Sequence, residues 1–493
     1  MKFKTQNKFI ALFVVCSLQI AAAQETNQVE QLKQQLLQMQ QNFERVQREQ
    51  HDQIEALTKQ LNDLSKGQAA EAEKKKLADQ LAAELGGTQT NSSPAAAAAA
   101  PAVIPPSGWT ADQPITVARA GSAYMNISFD TLMDVGWSTA SDPSQFLNLG
   151  DHDPIKRGFS LRNAEISLDG AVDPYFKAFG NIVLKLDKNN NTDIELEETY
   201  LQSTSLPGNL QLKAGQFFAN FGRQNPQHPH QWAFVDQPII LERAFGPEGL
   251  RNIGAQMSWL APTPFYTEAF LGVFDGQGDT TFSFRNPGED IGGTNRFHGR
   301  ATLDRSLRGP GDLVYVPRLA SSFELSDEQT LVAGISGAFG PNNTGNDRRT
   351  EIAGADLYWK WKPSHADAGF PFVSWQTEGL YQWYQAGADP TANLPAENLR
   401  DWGFYSQLLW GFHPRWVVGL RGEYANGNSG ADDPNDVFRG ERSRVSPALT
   451  FYPSEFSKIR LQYNYDHGAL FGEEHSIWLQ VEFLLGAHGA HKF

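Results

Sequence analysis

A chain of 493 residues is long enough for two or three average domains or for one large β-barrel, so length alone does not distinguish these two architectures. Acidic residues outnumber basic ones, 56 to 41, and aromatic residues make up 12% of the chain. The single cysteine, Cys16, lies in an N-terminal apolar run that we expect to be removed, which excludes disulfides and thiol catalysis from the mature chain.

Residues 1–23 have the pattern of a secretory signal peptide. Lys2, Lys4 and Lys8 precede the apolar run FIALFVVCSLQI, and three alanines follow it before Gln24. The run is too short to span a bilayer core of about 30 Å as a helix. An exported, aromatic-rich chain without a second long apolar segment suits the outer membrane of a Gram-negative-type cell, which proteins cross with strands.

Residues 24–85 predict an α-helical coiled coil in the periplasm, and residues 86–115 predict a linker. Apolar residues recur at steps of three and four in residues 24–85, which is the heptad pattern of a coiled coil. A lone helix that is polar on most of its surface would be only marginally stable, so this pattern favours partner helices. The alternative is an isolated or partly disordered helix. The linker is rich in Ala, Pro, Ser and Gly and has no periodicity. The heptad positions are Val29, Leu32, Leu36, Met39, Phe43 and Val46.

Residues 116–493 alternate apolar and polar side chains with the period of a β-strand. A soluble β-sandwich would also alternate, but its polar faces would rarely hold so many charges. The stretch RFHGRATLDRS does not alternate, and we place it in a long loop. The predicted fold is an all-β transmembrane structure, an antiparallel outer-membrane β-barrel of about 16 strands, an even number as in bacterial barrels. The strands begin near residues 122, 159, 175, 193, 209, 252, 265, 316, 330, 351, 372, 402, 415, 443, 458 and 476.

Several of these stretches resemble the phosphate-selective porin O and P family. RNAEISLDGAVDPYFKAFGNIVLKL, IELEETYLQS and LQLKAGQFFANFG follow the order and spacing typical of that family. HPHQWAFVDQP, FGPEGLRNIGAQ and GAHGAHKF resemble a sub-branch sometimes labelled zinc-regulated TonB-dependent outer membrane receptors. The resemblance implies an anion channel with trimeric barrels and a basic lumen. A TonB-dependent receptor instead fills a 22-stranded barrel with a plug, for which this chain has no segment, so a passive channel is favoured.

The predicted lumen carries mixed charge. From Trp109 onward, 30 Lys and Arg oppose 45 Asp and Glu, which argues against strong anion selection. A mixed lining predicts weak selectivity, whereas a ring of one sign would discriminate between ions. The residues that strand alternation directs to the lumen are Lys177, Lys185, Lys213, Arg421, Lys458 and Arg460, with Asp130, Glu165, Asp169, Glu423, Asp466 and Glu482.

Residues 219–251 form a long loop that we expect to fold into the lumen and narrow it. Loops of this length in a compact barrel are usually functional. Its charged residues either face passing solute or fix the loop to the wall, and both alternatives stay open at this point. These residues are Arg223, His228, His230, Asp236, Glu242, Arg243, Glu248 and Arg251.

The motif His228-Pro229-His230 in this loop raises the question of a metal site. Zinc normally needs three or four ligands, and the motif supplies two. We expect Pro229 to keep the chain extended and to turn the two rings apart, and we expect His488 and His491 to lie toward the opposite rim. The sequence therefore predicts no metal site and no cofactor.

These features together predict a porin, a water-filled channel for passive diffusion of small hydrophilic solutes or ions, phosphate or other anions among them. The alternatives are a structural tether that links envelope layers through the coiled coil and a metal-related outer-membrane receptor. No G-x-S-x-G or H-E-x-x-H motif occurs, and we predict no enzymatic activity. The expected partners are the lipid bilayer, further copies in a homotrimer, the barrel-assembly machinery through Phe493, and the cell wall through the coiled coil, but no nucleic acid.

Overall fold

The computed structural model describes residues 114–486, apart from residues 122, 205, 292, 304–305, 433–438 and 470. The expected signal peptide, the coiled coil and nearly all of the linker lie outside the described residues, as do His488, His491 and Phe493. Those predictions, and the domain boundaries that depend on them, therefore stay predictions. Within the described part of the chain, no helix is long and apolar enough to cross a membrane.

Twenty strands and one short α-helix occur in the described residues. The helix α1, Ile239–Phe245, lies between β6 and β7. The strands are β1 (Ile115–Ala120), β2 (Ala123–Ser138), β3 (Gly158–Ala171), β4 (Phe176–Leu186), β5 (Thr192–Ser203), β6 (Leu210–Phe218), β7 (Arg251–Leu260), β8 (Tyr266–Phe274), β9 (Glu289–Ile291), β10 (Thr294–Phe297), β11 (Arg300–Ala301), β12 (Val314–Ser326), β13 (Gln329–Pro341), β14 (Arg349–Trp361), β15 (Phe372–Ala386), β16 (Glu397–His413), β17 (Trp416–Gly427), β18 (Arg442–Ser454), β19 (Ser457–Gly468) and β20 (Gly472–Leu485).

Sixteen of the described strands close into one antiparallel barrel. Each strand from β2 to β8 and from β12 to β20 pairs with the next, β8 pairs with β12, and β20 pairs back with residues 129–138 of β2. The short strand β1 pairs with residues 123–127 of β2, beyond the point where β20 ends. The barrel strands begin within five residues of the predicted positions, so the predicted antiparallel barrel of 16 strands is confirmed.

The longest connections between barrel strands all lie at one end of the barrel, and the two-residue turns all lie at the other. The short-turn end holds β1 and the end of β20. The stretch RFHGRATLDRS lies in a long loop, as predicted, where β9, β10 and β11 form a small separate sheet. The longest connections are residues 139–157, 219–250, 275–313 and 428–441, and short ones include residues 172–175, 327–328, 414–415 and 455–456.

The barrel wall is polar inside and apolar outside. In β19, Arg460 and Gln462 are buried, whereas Leu461 and Tyr463 between and beyond them are exposed. Strands β2, β16, β18 and β20 repeat this alternation. A soluble protein buries its apolar face, so the reversed arrangement matches a barrel that stands in lipid and encloses water or polar groups.

The lumen also holds an apolar core, which the alternation did not predict. Phe221 and Phe245, both fully buried, contact each other with ring centroids 4.9 Å apart. They belong to one cluster with the inward-facing wall residues Ile352, Leu380 and Tyr405. Burying a side chain of this size contributes about 1.5–3 kcal/mol, so the cluster stabilises the segment that carries Phe221 and Phe245 inside the barrel.

Candidate functional site

Residues 219–250, here called the lumen loop, fold into the barrel and bond to strands on several sides of it. The backbone N–H of Gly222 donates to Ser336 Oγ of β13 at 3.0 Å. The backbone N–H of Ile239, the first residue of α1, donates to Glu423 Oε2 of β17 at 2.8 Å. The loop thus narrows the lumen, and wall side chains satisfy these two buried backbone N–H groups, as buried backbone requires.

Asp236 is the most heavily bonded acidic residue of the lumen loop. Its carboxylate pairs with Arg421 and with Arg444, whose Nη1 lies 2.9 Å from Oδ2. Gln462 Nε2 and Asn464 Nδ2 donate to the same carboxylate at 3.0 and 2.7 Å. Burial alone would raise the pKa of Asp236, but the two guanidinium groups outweigh it and lower that pKa to about 2. Asp236 is therefore anchored to the wall as an anion.

A second ionic cluster anchors the end of the lumen loop. Glu248 Oε1 lies 3.2 Å from Lys185 Nζ, and Glu248 Oε2 lies 3.0 Å from Arg251 Nη2. Lys185 and Arg251 also pair with Glu195 of β5, and Lys185 pairs with Asp151. Burial, with Asp151 and Glu195 nearby, raises the pKa of Glu248 to about 7. Arg251, which the sequence placed in the loop, is the first residue of β7 and belongs to the barrel wall.

His228 and His230 lie side by side, and the expectation that Pro229 turns their rings apart is wrong. The ring centroids are 5.6 Å apart with 21° between the planes. The reason is local: Pro229 is the first residue of a 3₁₀ turn, Pro229–Gln231, rather than part of an extended segment. A 3₁₀ turn rises only about 2 Å per residue, so it draws the two side chains together.

His228 is enclosed by carboxylates from β5. Its Nδ1 lies 2.9 Å from Glu197 Oε2, and its Nε2 lies 2.9 Å from Glu198 Oε2. His152, from the loop before β3, approaches the other oxygen of Glu197 at 3.4 Å. Burial alone would lower the pKa of His228, but Glu197 and Glu198 raise it well above its usual value.

His230 faces two further carboxylates from β2 and β3. Its Nδ1 lies 3.2 Å from Asp130 Oδ2 and 3.4 Å from Glu165 Oε2. Burial opposes its charge, but Glu165 and Asp130 outweigh it and raise the pKa of His230 to about 10. Without another cation in the cluster, His230 therefore carries a proton at neutral pH.

The other predicted residues lie at different depths, and contact with solute stays a prediction for all of them. Glu242 is buried, and burial raises its pKa despite the nearby Arg442 and Arg444. Lys177, near the start of β4, is exposed. The half-buried residues are Arg223, Lys213, Asp169 and Arg243, and the buried ones are Asp130, Glu165, Lys185, His228, His230, Asp236, Glu242, Arg251, Arg421, Glu423, Lys458, Arg460, Asp466 and Glu482.

A polar cavity of about 160 Å³ separates the lumen loop from β14, β15 and β16. On the loop side Arg223 stacks on the ring of Tyr358 at 3.9 Å, and its Nε donates to Gln376 at 3.2 Å. The half-buried Lys360 follows Tyr358 by two residues on the same strand. The cavity is also lined by Gln227, Gln231, Ser374 and Gln407, and no carboxylate of the described residues lines it. The cavity is therefore polar and locally cationic.

A relative of this chain is known from Aquifex aeolicus (strain VF5), where it is described as an uncharacterized protein. The two sequences are 33% identical over 359 residues, which cover 69% of this chain and 71% of the relative. The chain belongs to the same family as this Aquifex protein. No family model matches the sequence, so the resemblance of this family to the phosphate-selective porins stays a prediction.

Solved structures with a similar fold include two outer-membrane channels. The channel DcaP of Acinetobacter baumannii is 13% identical, with a TM-score of 0.49 over 74% of this chain and 99% of that one. The anion-selective porin from Comamonas acidovorans is 7% identical, with a TM-score of 0.46 over 74% and 100%. Both TM-scores lie below 0.5, so neither likeness bears on function.

Sequence reasoning missed Glu197 and Glu198, the two acidic residues around His228. Regular alternation would send one of them to the lipid face, yet both are buried. The pairing with β4 passes from Asn181–Glu198 to Ile182–Leu196, so Glu197 is the extra residue of a β-bulge. The run of acidic residues in IELEET was the available signal, but the bulge itself leaves no mark in a single sequence.

Proposed function

We propose that this protein is an outer-membrane porin that conducts small hydrophilic solutes through the lumen of its barrel. The observation that carries the proposal is the reversed distribution of polarity around a closed barrel of 16 strands. Barrels of 16 to 18 strands are wide enough to leave an aqueous channel. The lumen loop narrows that channel, and a polar cavity remains between the loop and the wall beside Arg223.

The charge around this cavity favours anions over cations. Arg223 lines the cavity, and the half-buried Lys360 lies two residues beyond Tyr358, another lining residue, on β14. Arg421 and Arg444 elsewhere in the lumen form closed ion pairs with Glu423 and Asp466, and such pairs contribute little net field. A weak anion preference follows, and phosphate is one anion that such a path would admit.

Planar-bilayer recording of the purified protein tests the proposal. Stepwise conductance increases in KCl are expected, and a swelling assay with liposomes and sugars of increasing size would give the limiting diameter. A well-folded barrel that produces no steps and no swelling would overturn the channel function. A tether that only anchors its N-terminal segment would give that negative result.

The surroundings of the barrel are part of the proposal. The chain enters the barrel at the short-turn end, through β1, which supports a periplasmic position for the segment before residue 114. A homotrimer is the expected assembly, and chemical cross-linking in membranes checks it. Recognition of Phe493 by the barrel-assembly machinery and contact between the coiled coil and the cell wall concern parts of the chain outside the described residues.

A further inference from the structure

Four buried carboxylates surround His228 and His230 without a Lys or Arg partner. Within the described residues, their ion pairs are to histidines alone. By contrast, the nearby ionic cluster around Glu248 is neutralised by Lys185 and Arg251. The four carboxylates outnumber the three histidines that pair with them, His152, His228 and His230, so the cluster has an acidic excess. Buried charge is costly unless it is paired, and a bound cation would relieve this excess. The four carboxylates belong to Asp130, Glu165, Glu197 and Glu198.

Two sets of three ligand atoms converge in this cluster, and both include Glu165. One set is Glu165, Glu197 and His228, and the other is Asp130, Glu165 and His230. Glu165 Oε2 lies 3.6 Å from His228 Nδ1 and 3.4 Å from His230 Nδ1. Ligands about 2.0–2.2 Å from a tetrahedral metal ion lie roughly 3.4 Å from each other, so these spacings fit a metal ion. The ion would displace the side-chain amide of Asn181, whose Nδ2 now donates to Glu165 Oε2 at 3.2 Å and to Glu197 Oε2 at 2.7 Å.

The side chains behind these ligands hold them in the orientation that a metal ion requires. Glu198 Oε2 accepts a hydrogen bond from His228 Nε2 at 2.9 Å, which leaves Nδ1 directed at Glu165 and Glu197. Metal-binding histidines commonly have such a carboxylate on their other nitrogen. Asn163 Nδ2 donates to Asp130 Oδ1 at 3.1 Å and to Glu165 Oε1 at 2.8 Å, so the opposite oxygens of both carboxylates face His230.

We propose that this cluster is a binding site for a divalent transition-metal ion, with Glu165, Glu197 and His228 as ligands of one ion. Asp130 and His230 supply the second set, which shares Glu165 and would hold a neighbouring ion. Mixed imidazole and carboxylate ligands suit Zn²⁺, Co²⁺ or Mn²⁺ rather than Ca²⁺ or Mg²⁺. A bound ion would take the place of ring protons and fix the lumen loop to β2, β3 and β5.

The experiment uses the full chain, purified from membranes, stripped with a chelator and then given ZnCl₂ or CoCl₂. Metal content after gel filtration and the visible d–d absorption of Co²⁺ are the two readouts. One to two ions per barrel are expected, with a Co²⁺ spectrum typical of low coordination. Glu165→Gln should abolish both signals, and Glu198→Gln should weaken affinity about 10- to 100-fold, the usual effect of losing a carboxylate behind a ligand.

A matched control is Glu378→Gln, which changes a buried lumen carboxylate on β15 whose partners are Tyr405 and the backbone of Arg223 and Gln224. It should bind metal like the wild type. Retention of heat-dependent gel mobility shows that each variant is a folded barrel, and if Glu165→Gln fails this check, His228→Asn replaces it. The proposal is overturned if the wild type binds no more metal than the folded ligand variant, or if Glu378→Gln lowers binding equally.

Discussion

Arg421 of β17 binds Asp236 of the lumen loop twice, through the carboxylate and through the backbone oxygen, which accepts from Nη1 at 2.9 Å. Both residues are almost completely buried. The pair therefore fixes both the backbone and the side chain of Asp236, three residues before α1 begins at Ile239. Opening the lumen further would require this contact to break.

Replacing Asp236 with Asn should loosen the lumen loop. The change removes one carboxylate from Arg421 and Arg444, which keep Glu423 and Asp466 as partners. The cost should therefore be below the about 3–5 kcal/mol typical of a buried charge left without a partner. We expect larger and noisier single-channel currents and faster tryptic cleavage at Arg243. Asp142→Asn is the control, since Asp142 pairs with Lys188 in an exposed contact and its loss should leave both measurements unchanged.

Acid should act on the same contact. Because the pKa of Asp236 is about 2 in the folded chain and about 3.9 in an unfolded one, its ionisation stabilises the docked loop above about pH 4. That contribution is lost as pH falls from about 4 toward 2, and channel currents recorded across this range should become larger and noisier. Asp236→Asn should show the loosened behaviour already at pH 6. Wild-type currents that stay constant to pH 2 would contradict this assignment.

The apolar core of the lumen should hold the loop independently of charge. Phe221→Ala removes a ring that contacts Phe245, and such truncations typically cost about 3–5 kcal/mol. We expect faster tryptic cleavage within the lumen loop, while the barrel keeps its heat-dependent gel mobility. Phe159→Ala serves as the control, because Phe159 is 66% exposed on the outer face and its loss should not affect the loop.

The barrel itself could be predicted from the sequence, whereas much of the loop docking could not. Polar and apolar side chains alternate in β19 from Lys458 to Asp466. Because side chains of a strand point to opposite faces with a period of two, this alternation predicts which face meets lipid. The positions of His228 and His230 depend on a 3₁₀ turn and on contacts with β2, β3 and β5, which are distant in sequence. A single sequence records no such pairing.

Bulges and the apolar core set the other limit on prediction. Glu197 is the extra residue of a β-bulge, so Glu198 also faces the lumen against the strict period of two. Ile352 and Leu380 face inward to meet the lumen loop, although apolar residues of such strands are expected on the lipid side. In both cases tertiary contacts decide the direction of a side chain that local pattern would assign differently.

Arg223 should contribute to ion preference. Its guanidinium lies at the polar cavity, where no carboxylate of the described residues lines the wall. Arg223→Gln removes a positive charge and should move the reversal potential in a KCl gradient toward cation preference. Lys177→Gln removes a charge from an exposed position and should have a smaller effect. Equal shifts in the two variants would show that Arg223 only braces the loop.

The most direct test of conduction through the lumen compares two adjacent residues of β16. Gln407 is buried and lines the polar cavity, whereas Leu408 is 46% exposed on the outer face. The mature chain is expected to lack cysteine, so Gln407→Cys and Leu408→Cys each introduce a single thiol. A charged thiosulfonate reagent should reduce the current of Gln407→Cys and leave Leu408→Cys unchanged. Equal responses, or no response at Gln407, would contradict a solute path beside the lumen loop.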